Sequence, residues 1–290
     1  MKKIIFLIPV YNDWEPLTKL LSEIDLIVKD INDYQFQCII INDHSSINFP
    51  EITKPKNFEY IKIINMKTNR GHARCIAAGL RYIKQNEECD YTIIMDSDGE
   101  DRPVEIKELI KKIRSNPKNS VVAKRIKRSE GIIFQTLYHI HKLTTYIFTG
   151  KKINFGNYTC LTMKDIQMLS NKETLWSSYS GTLKKNISYY EEINSIRGKR
   201  YSGPSKMSLI NLIIHSLSIN AVFKNIVFLR SALIIIILSF SVGYLGSLAI
   251  TLQILIVIFN LLIFLISKRE SQADLIKSGE NILNEKTILH

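Results

Sequence analysis

Two aspartates one residue apart, Asp96 and Asp98, directly follow the apolar run Tyr91 to Met95. On a tight turn at a strand end, both carboxylates can face a common cation from the same edge. Hard oxygen ligands of this kind suit Mg2+ or Mn2+. Such an ion would bridge a diphosphate and stabilise the charge that develops on a departing nucleotide. Taken alone the pair is a weak signal, since solvated aspartates are common in turns. A second acidic turn, Asn42-Asp43-His44-Ser45-Ser46, closes a segment that reads as another buried strand, Gln37 to Ile41.

The elements around these turns alternate between strand and helix. Residues 3–10 read as a buried strand, and Asp13 to about Val28 has helical apolar spacing (Leu17, Leu20, Leu21, Ile24, Ile27). Strands follow at Gln37 to Ile41, Tyr60 to Ile64, Tyr91 to Met95 and Val121 to Ala123. Between them, Gly71 to about Lys84 reads as a helix with Ala73, Ala77 and Ala78 on one face. Pro103 suits the first turn of another, running to about Ile113. This alternation implies a mostly parallel α/β sheet with helices on both faces. Ligands of such sheets bind beyond the carboxyl ends of the strands, and both acidic turns fall there.

The pattern changes after residue 206. Met207 to Phe223 carries Leu209, Leu212, Ile213, Leu217 and Val222 with few charges. Two readings fit: a helix lying in a membrane interface, or one packed on the preceding domain. Ser231 to Ser267 then contains no charged residue, about twice the roughly 20 residues of one membrane span. A break at Gly243-Tyr244-Leu245-Gly246 suggests two helices, about 226–244 and 248–267. Lys224 and Arg230 precede the stretch and Lys268 and Arg269 follow it, so both ends are expected in the cytoplasm. The polar tail, 268–290, is expected to be a cytoplasmic helix or disordered. The N-terminal apolar run lacks a signal-peptide pattern and reads as the first strand, keeping the catalytic part cytoplasmic. These readings give a catalytic domain over 1–206, an interfacial helix over 207–225, two transmembrane helices over 226–267 and the tail.

With 46% hydrophobic and 23% charged residues, the chain of 290 is not a disordered one. A net charge of +12 points to nucleic acid, anionic lipid or phosphorylated substrates, or simply to a solvated basic surface. No zinc-finger spacing or aromatic-interleaved basic motif supports nucleic acid. Cys38, Cys75, Cys89 and Cys160 form no CxxC pair and read as structural thiols. His72, His139, His141 and His215 show no metal-ligand spacing beyond one His-x-His and read as surface or core residues.

Four separated motifs then carry a resemblance. They are Ile8-Pro9-Val10-Tyr11-Asn12-Asp13, Ile40-Ile41-Asn42-Asp43-His44-Ser45, Asn69-Arg70-Gly71 with Ala78 and Gly79, and Asp96-Ser97-Asp98-Gly99-Glu100-Asp101-Arg102-Pro103. In this order, over roughly residues 3–206, they resemble family 2 glycosyltransferases of the GT-A (Rossmann-like) fold. The DxD-x-x-D-x-P form resembles the branch of dolichol-phosphate mannose synthases and bacterial polyprenyl-phosphate glycosyltransferases. Arg200-Tyr201-Ser202-Gly203-Pro204-Ser205-Lys206, followed by an apolar helix and paired spans, resembles the same branch. The resemblance implies that Pro9, Tyr11 and Asp13 line a nucleotide pocket and that Asp43 accepts hydrogen bonds from base or ribose. It implies that Arg70 and Gly71 help hold the nucleotide, and that Asp96 and Asp98 serve metal and diphosphate. Glu100, where the branch often has Gln, would be a third metal ligand.

A lipid-phosphate acceptor already carries an anionic oxygen, so it needs positioning and charge neutralisation more than a general base. Lys124, Arg125 and Arg128 stand where the branch places acceptor-phosphate arginines, and Arg200, Ser205 and Lys206 precede the apolar helix. Arg and Lys suit phosphate, and equally an anionic membrane surface. No late carboxylate base of the kind used for hydroxyl acceptors is found in Trp176-Ser177-Ser178-Tyr179-Ser180-Gly181. Glu173, Glu191 and Glu192 fit no motif, and Asn157 stands where the branch commonly has Asp. The expected activity is therefore inverting transfer from a nucleotide sugar to a polyprenyl phosphate, with Asp98, Arg125 and Arg200 at the chemistry. Transfer to a glycan or lipid-linked oligosaccharide hydroxyl, and a catalytically silent membrane scaffold, are the alternatives. Self-association is compatible with any of them.

Overall fold

A computed structural model describes residues 1–47, 52–127, 132–203 and 208–289. The expected strands form at β1 (Lys2–Val10), β2 (Tyr34–Asn42), β3 (Phe58–Met66), β4 (Tyr91–Ile94) and β5 (Val121–Lys127). The expected helices are α1 (Trp14–Val28), α2 (His72–Asn86) and α3 (Ile106–Ser115). Beyond them lie α4 (Ile132–Thr149), β6 (Phe155–Thr162), α5 (Met163–Leu169), α6 (Tyr179–Asn186) and β7 (Glu191–Ile196).

Among the described residues the sheet has eight strands, in the order β7-β5-β6-β4-β1-β2-β3-β8. Its centre, β4-β1-β2-β3, is wholly parallel. Ile4 to Ile8 on β1 are all fully buried, as a strand covered on both faces requires. Alternation divides them: Ile5 and Leu7 join the core under α2, and Ile4, Phe6 and Ile8 join the core under α1 and α3. The small face expected of α2 has a packing cause, because a Cβ at Gly79 would sit 2.5 Å from Leu7 Cδ1. Cys38, Cys75 and Cys160 are buried free thiols.

Past the sheet come α7 (Leu209–Ala221), α8 (Lys224–Phe240), α9 (Val242–Leu245) and α10 (Ser247–Ser267). The first apolar helix is packed on the preceding domain at its C-terminal end and exposed at its N-terminal end. Leu209, Ile210 and Ile213 of α7 are exposed, whereas Ile219 and Ala221 are buried and Asn220 Nδ2 donates to Thr145 Oγ1 on α4 at 3.2 Å. On α10, Gln253 Nε2 donates to Ile235 O (3.3 Å) and Ser239 Oγ (2.9 Å) of α8. Among the described residues α10 is the helix long and apolar enough to cross a membrane, while α7 and α8 qualify only together, as a pair bent by 88°. Large apolar side chains on both α8 and α10, such as Ile237, Phe240, Leu255 and Val257, are exposed.

The tail departs from the expectation of a helix or disorder. After α11 (Gln272–Ile276) it forms β8 (Ile282–Ile288), antiparallel to β3. The alternation Ile282-Leu283-Asn284-Glu285 is too polar to signal a buried strand. An edge strand with mostly exposed side chains does not need to be apolar, since its partner supplies the backbone hydrogen bonds.

Candidate active site

The parallel order places the ends of β4, β1, β2 and β3 side by side, so the segments that follow them share one edge. Asp96 and Asp98 follow β4, Tyr11 and Asp13 follow β1, Asp43 follows β2, and Thr68 to Gly71 follow β3. Pro9 lies within β1, buried and opposite Ile41, whereas Tyr11 is exposed at the edge.

Asp43 is buried, and both its oxygens accept backbone N–H groups, from Arg70 (Oδ1, 2.8 Å) and Gly71 (Oδ2, 2.8 Å). It therefore fixes the loop that opens α2, where Gly71 adopts φ +90°. The Arg70 guanidinium turns back to Thr68 Oγ1 at 3.1 Å.

The turn after β4 is held from below and from above. Below it, buried Asp101 accepts from the Asp96 N–H at 3.0 Å, and Arg125 Nη2 lies 3.8 Å from the same carboxylate. Gly156 makes room for that arginine, since a Cβ there would lie 2.6 Å from Arg125 Nη2. Above it, residues 197–202 form a strap. Gly198 N donates to Glu100 O (2.8 Å) and Tyr201 N to Asp98 O (2.9 Å). Arg197 pairs with Glu100. Arg200 Nη1 donates to Asp98 Oδ2 at 2.8 Å, its Nη2 pairs with Asp13, and its Nε donates to Ser202 O at 2.9 Å.

His72 keeps to the surface, its side chain 43% exposed, and it also faces the acidic turn: its Nε2 lies 3.1 Å from Asp96 Oδ1. Asn157 Nδ2 lies 2.8 Å from His72 Nε2 and 3.4 Å from Asp96 Oδ1. Asp101, Arg197 and Tyr201 were also without assigned roles. Only the tertiary fold brings β6, the strap and the start of α2 onto one turn; the last Asp of DxD-x-x-D is the one local signal for Asp101.

Charge crowding leaves a titration signature. Burial, then the charges of Asp96 and Glu100, push Asp98 up to about 6. Burial and the Asp96 charge push Asp101 up to about 7. Asp96 goes the other way: burial opposes its ionisation, but the attraction and hydrogen bond of His72, with Arg125 and Arg197 behind, hold it below the usual carboxylate range. Burial likewise opposes a charged His72, yet Asp96 raises its pKa. A half-buried acidic turn at this charge density has the donor chemistry for a hard divalent cation. Two of its carboxylates, Asp96 and Asp98, fit that use. Glu100 is turned to Arg197, and among the described residues no three His, Cys, Asp or Glu side chains converge to hold an ion.

The other expected residues divide. Arg125 reaches the site through Asp101, whereas Lys124 pairs with Glu192 of β7 at 3.2 Å. Glu191 accepts from Asn116 Nδ2 at 3.0 Å and Lys112 Nζ at 3.3 Å, so neither late glutamate is aimed at the turn. Arg128, Ser205 and Lys206 lie outside the described residues.

The undecaprenyl-phosphate 4-deoxy-4-formamido-L-arabinose transferase of Photorhabdus laumondii is 26% identical over 226 residues, 73% of this chain and 65% of its own length. This chain thus spans just under two thirds of that relative. The dolichyl-phosphate beta-glucosyltransferase of Trichomonas vaginalis is 27% identical over 116 residues, 38% of this chain and 33% of its own. Among solved structures, glucosyl-3-phosphoglycerate synthase from Mycobacterium tuberculosis, crystallised with Mn2+, UDP-glucose and phosphoglyceric acid, superposes with a TM-score of 0.52. It is 13% identical and covers 78% of this chain and 80% of that one. S. aureus TarS 1–349 with UDP-GlcNAc gives 0.50, also at 13% identity, covering 84% of this chain and 73% of that one. Both likenesses show the GT-A fold. Residues 5–172 match the family described as Glycosyl transferase family 2, and with that match over more than half its length the chain belongs to that family of glycosyltransferases.

Proposed function

We propose that the protein is an inverting, metal-dependent transferase that moves a sugar from a nucleotide-sugar donor to a polyprenyl phosphate, undecaprenyl or dolichyl, at the cytoplasmic face of a membrane. The observation that carries this reading is the meeting of acidic and basic groups at one sheet edge. Arg200 bridges Asp98 and Asp13, and Arg125 lies against Asp101, whose carboxylate accepts the Asp96 N–H.

The nucleoside would lie over Pro9, Tyr11, Asp13 and Asp43, with Arg70 and Gly71 beside its phosphates. Asp96 and Asp98 would hold Mg2+ or Mn2+, and Glu100 would join them only on leaving Arg197. The bound ion would supply charge neutralisation for the diphosphate leaving group. Arg200, held by Asp13 and Asp98, and Arg125, held by Asp101, would orient the acceptor phosphate so that its oxygen attacks the anomeric carbon in line. Ser205, Lys206, Lys124 and Arg128 would extend the basic surface toward the lipid. Such an acceptor needs no proton removed, which accords with Glu191 and Glu192 being engaged elsewhere.

The exposed apolar faces of α8 and α10 would sit in the bilayer, with α7 along its interface. Two crossings are favoured over one by connectivity: β8 pairs with β3, so the chain after α10 must return to the side on which the sheet lies. The basic residues at both ends support the cytoplasm as that side. The names of the similar transferases, which specify undecaprenyl and dolichyl phosphates, support the acceptor class.

Membranes containing the protein, given a panel of radiolabelled nucleotide sugars, should yield a lipid-extractable labelled product that depends on Mg2+ or Mn2+. Asp98→Ala, in folded protein, should abolish it. Turnover retained by that variant would remove Asp98 from the reaction, and label found only on a glycan hydroxyl would replace the acceptor.

A further inference from the structure

A line of amides crosses the carboxyl edge of the sheet and ends in the C-terminal tail. Register pairs Asn42 with Asn65 and Asn65 with Asn284. Asn65 Nδ2 donates to Asn284 Oδ1 at 2.7 Å, and Asn42 Nδ2 donates to Asn65 Oδ1 at 2.8 Å. Asn42 Oδ1 in turn accepts the Ser45 N–H at 3.0 Å, and Ser45 Oγ accepts the Asn12 N–H at 2.9 Å. Asn12 stands at φ +58° and His44 at φ +57°, so both turns hold left-handed residues that need fixing from outside.

A second set of bonds ties the tail to the neighbouring loop. Lys67 N donates to Asn281 O (2.6 Å), Thr68 Oγ1 to Asn281 Oδ1 (2.9 Å), and Asn281 Nδ2 to Thr68 O (3.1 Å). Thr68 Oγ1 is also the acceptor for Arg70 Nε, so the tail reaches the residues docked on Asp43 through one side chain. Three loops of the edge, at 11–13, 42–46 and 67–71, thus rest on contacts that end on Asn281 and Asn284.

We infer that the C-terminal tail is a positioning element for the donor pocket: Asn281 and Asn284 hold the loops after β1, β2 and β3 in the geometry that binds the nucleotide. The inference rests on the donor reading given above. A tail that served only to cap the sheet edge would need the backbone ladder of β8 but neither asparagine side chain. The amides add directional, two-ended hydrogen bonds at the positions where the edge loops begin. The tail also follows α10 directly, so the donor pocket is built partly from chain beyond the apolar helices.

The test uses the full chain in detergent, with UDP and GDP plus Mn2+ as calorimetric probes. Asn281→Ala and Asn284→Ala should weaken nucleotide binding and raise the donor KM roughly fivefold to tenfold, the effect of losing one or two hydrogen bonds of ordinary net strength. The turnover number should stay within about twofold, because the groups at the acidic turn are untouched. Thr68→Val, which keeps the shape and removes both hydroxyl bonds, should reproduce the Asn281→Ala loss. Asn284→Asp, which keeps the acceptor, should behave as wild type. Unchanged affinity in both alanine variants would overturn the inference, as would a fall in turnover that tracks a lowered melting temperature. If the unmodified protein binds neither nucleotide with Mn2+, the donor reading fails first and the positioning role falls with it.

Discussion

Gly99 lies between the two carboxylates of the acidic turn and the third, and its substitution by alanine reads out how the strap holds that turn. Gly99 has φ +85°, and a Cβ there would lie 2.3 to 2.6 Å from Tyr201 ring atoms. The ring cannot yield cheaply: its hydroxyl donates to Glu23 Oε2 at 2.6 Å, and Lys19 Nζ sits 4.5 Å from its centroid. The left-handed backbone costs roughly 1–2 kcal/mol for a residue with a Cβ. Displacing the ring adds about 1 kcal/mol for the hydrogen bond and about 0.5–1 kcal/mol for the cation–π contact. The total, roughly 3 kcal/mol, should lower the melting temperature by about 6–12 °C. Gly203 supplies the control, for it has φ +71° and nothing within 4 Å of a built Cβ. Gly203→Ala should cost the backbone part only, about 2–8 °C. In a Tyr201→Ala background the cost of Gly99→Ala should shrink to that same part, a coupling of roughly 1–2 kcal/mol. Turnover should fall on the order of 10–100-fold in Gly99→Ala, because the Tyr201 N–H that holds Asp98 O moves with the ring. Equal melting temperatures for Gly99→Ala and Gly203→Ala, or no coupling to Tyr201, would refute the strap as a rigid clamp.

Two further outcomes follow from the same charges. Arg200→Ala leaves the Asp13 and Asp98 carboxylates, both mostly buried, without their shared cation, and should destabilise the metal-free protein by roughly 2–4 kcal/mol on thermal denaturation. Arg200→Lys should recover less than half of that, since one ammonium cannot reproduce a fork that reaches Asp98, Asp13 and Ser202 O together; full recovery would show that only net charge matters. The second outcome concerns pH. Asp98 and Asp101 are raised in the folded state to about 6 and about 7 from 3.8, so between pH 4 and 7 the folded protein binds more protons than the unfolded chain. Stability of the metal-free protein should therefore fall as pH rises through that window, and Asp101→Asn should flatten the fall. A melting temperature in EDTA that instead rises across the window would contradict the crowding of these carboxylates.

Much of the sheet was legible in the residues. Runs such as Ile4 to Ile8 and Cys38 to Ile41 are apolar without interruption, the pattern of strands buried on both faces. The turns that end them carry Asp43, Asp96 and Asp98, so strand order alone placed these on a common edge. The lone Pro103 and the small residues of α2 were likewise readable, because their causes are local or involve one neighbouring strand. By contrast, β8 was not, since a polar edge strand leaves no periodic apolar signature. Nor was the role of His72, because its meaning comes from Asp96 on another strand.

The amino-acid sequence by itself determined the family, the central parallel strands and the acidic turn, since each is encoded by residues adjacent in the chain. Tertiary structure decided what surrounds that turn. Arg200 and Asp13 meet across 187 positions and Arg197 reaches Glu100 across 97, because the chain crosses the sheet and returns over its own carboxyl edge. The tail's place beside β3 was decided in the same way, by backbone hydrogen bonds that any sequence of suitable length can donate. Local residue patterns specify which face is buried and where the chain turns. Which distant segment closes over a given turn depends on how the whole sheet twists and packs, and no short stretch of sequence contains that information.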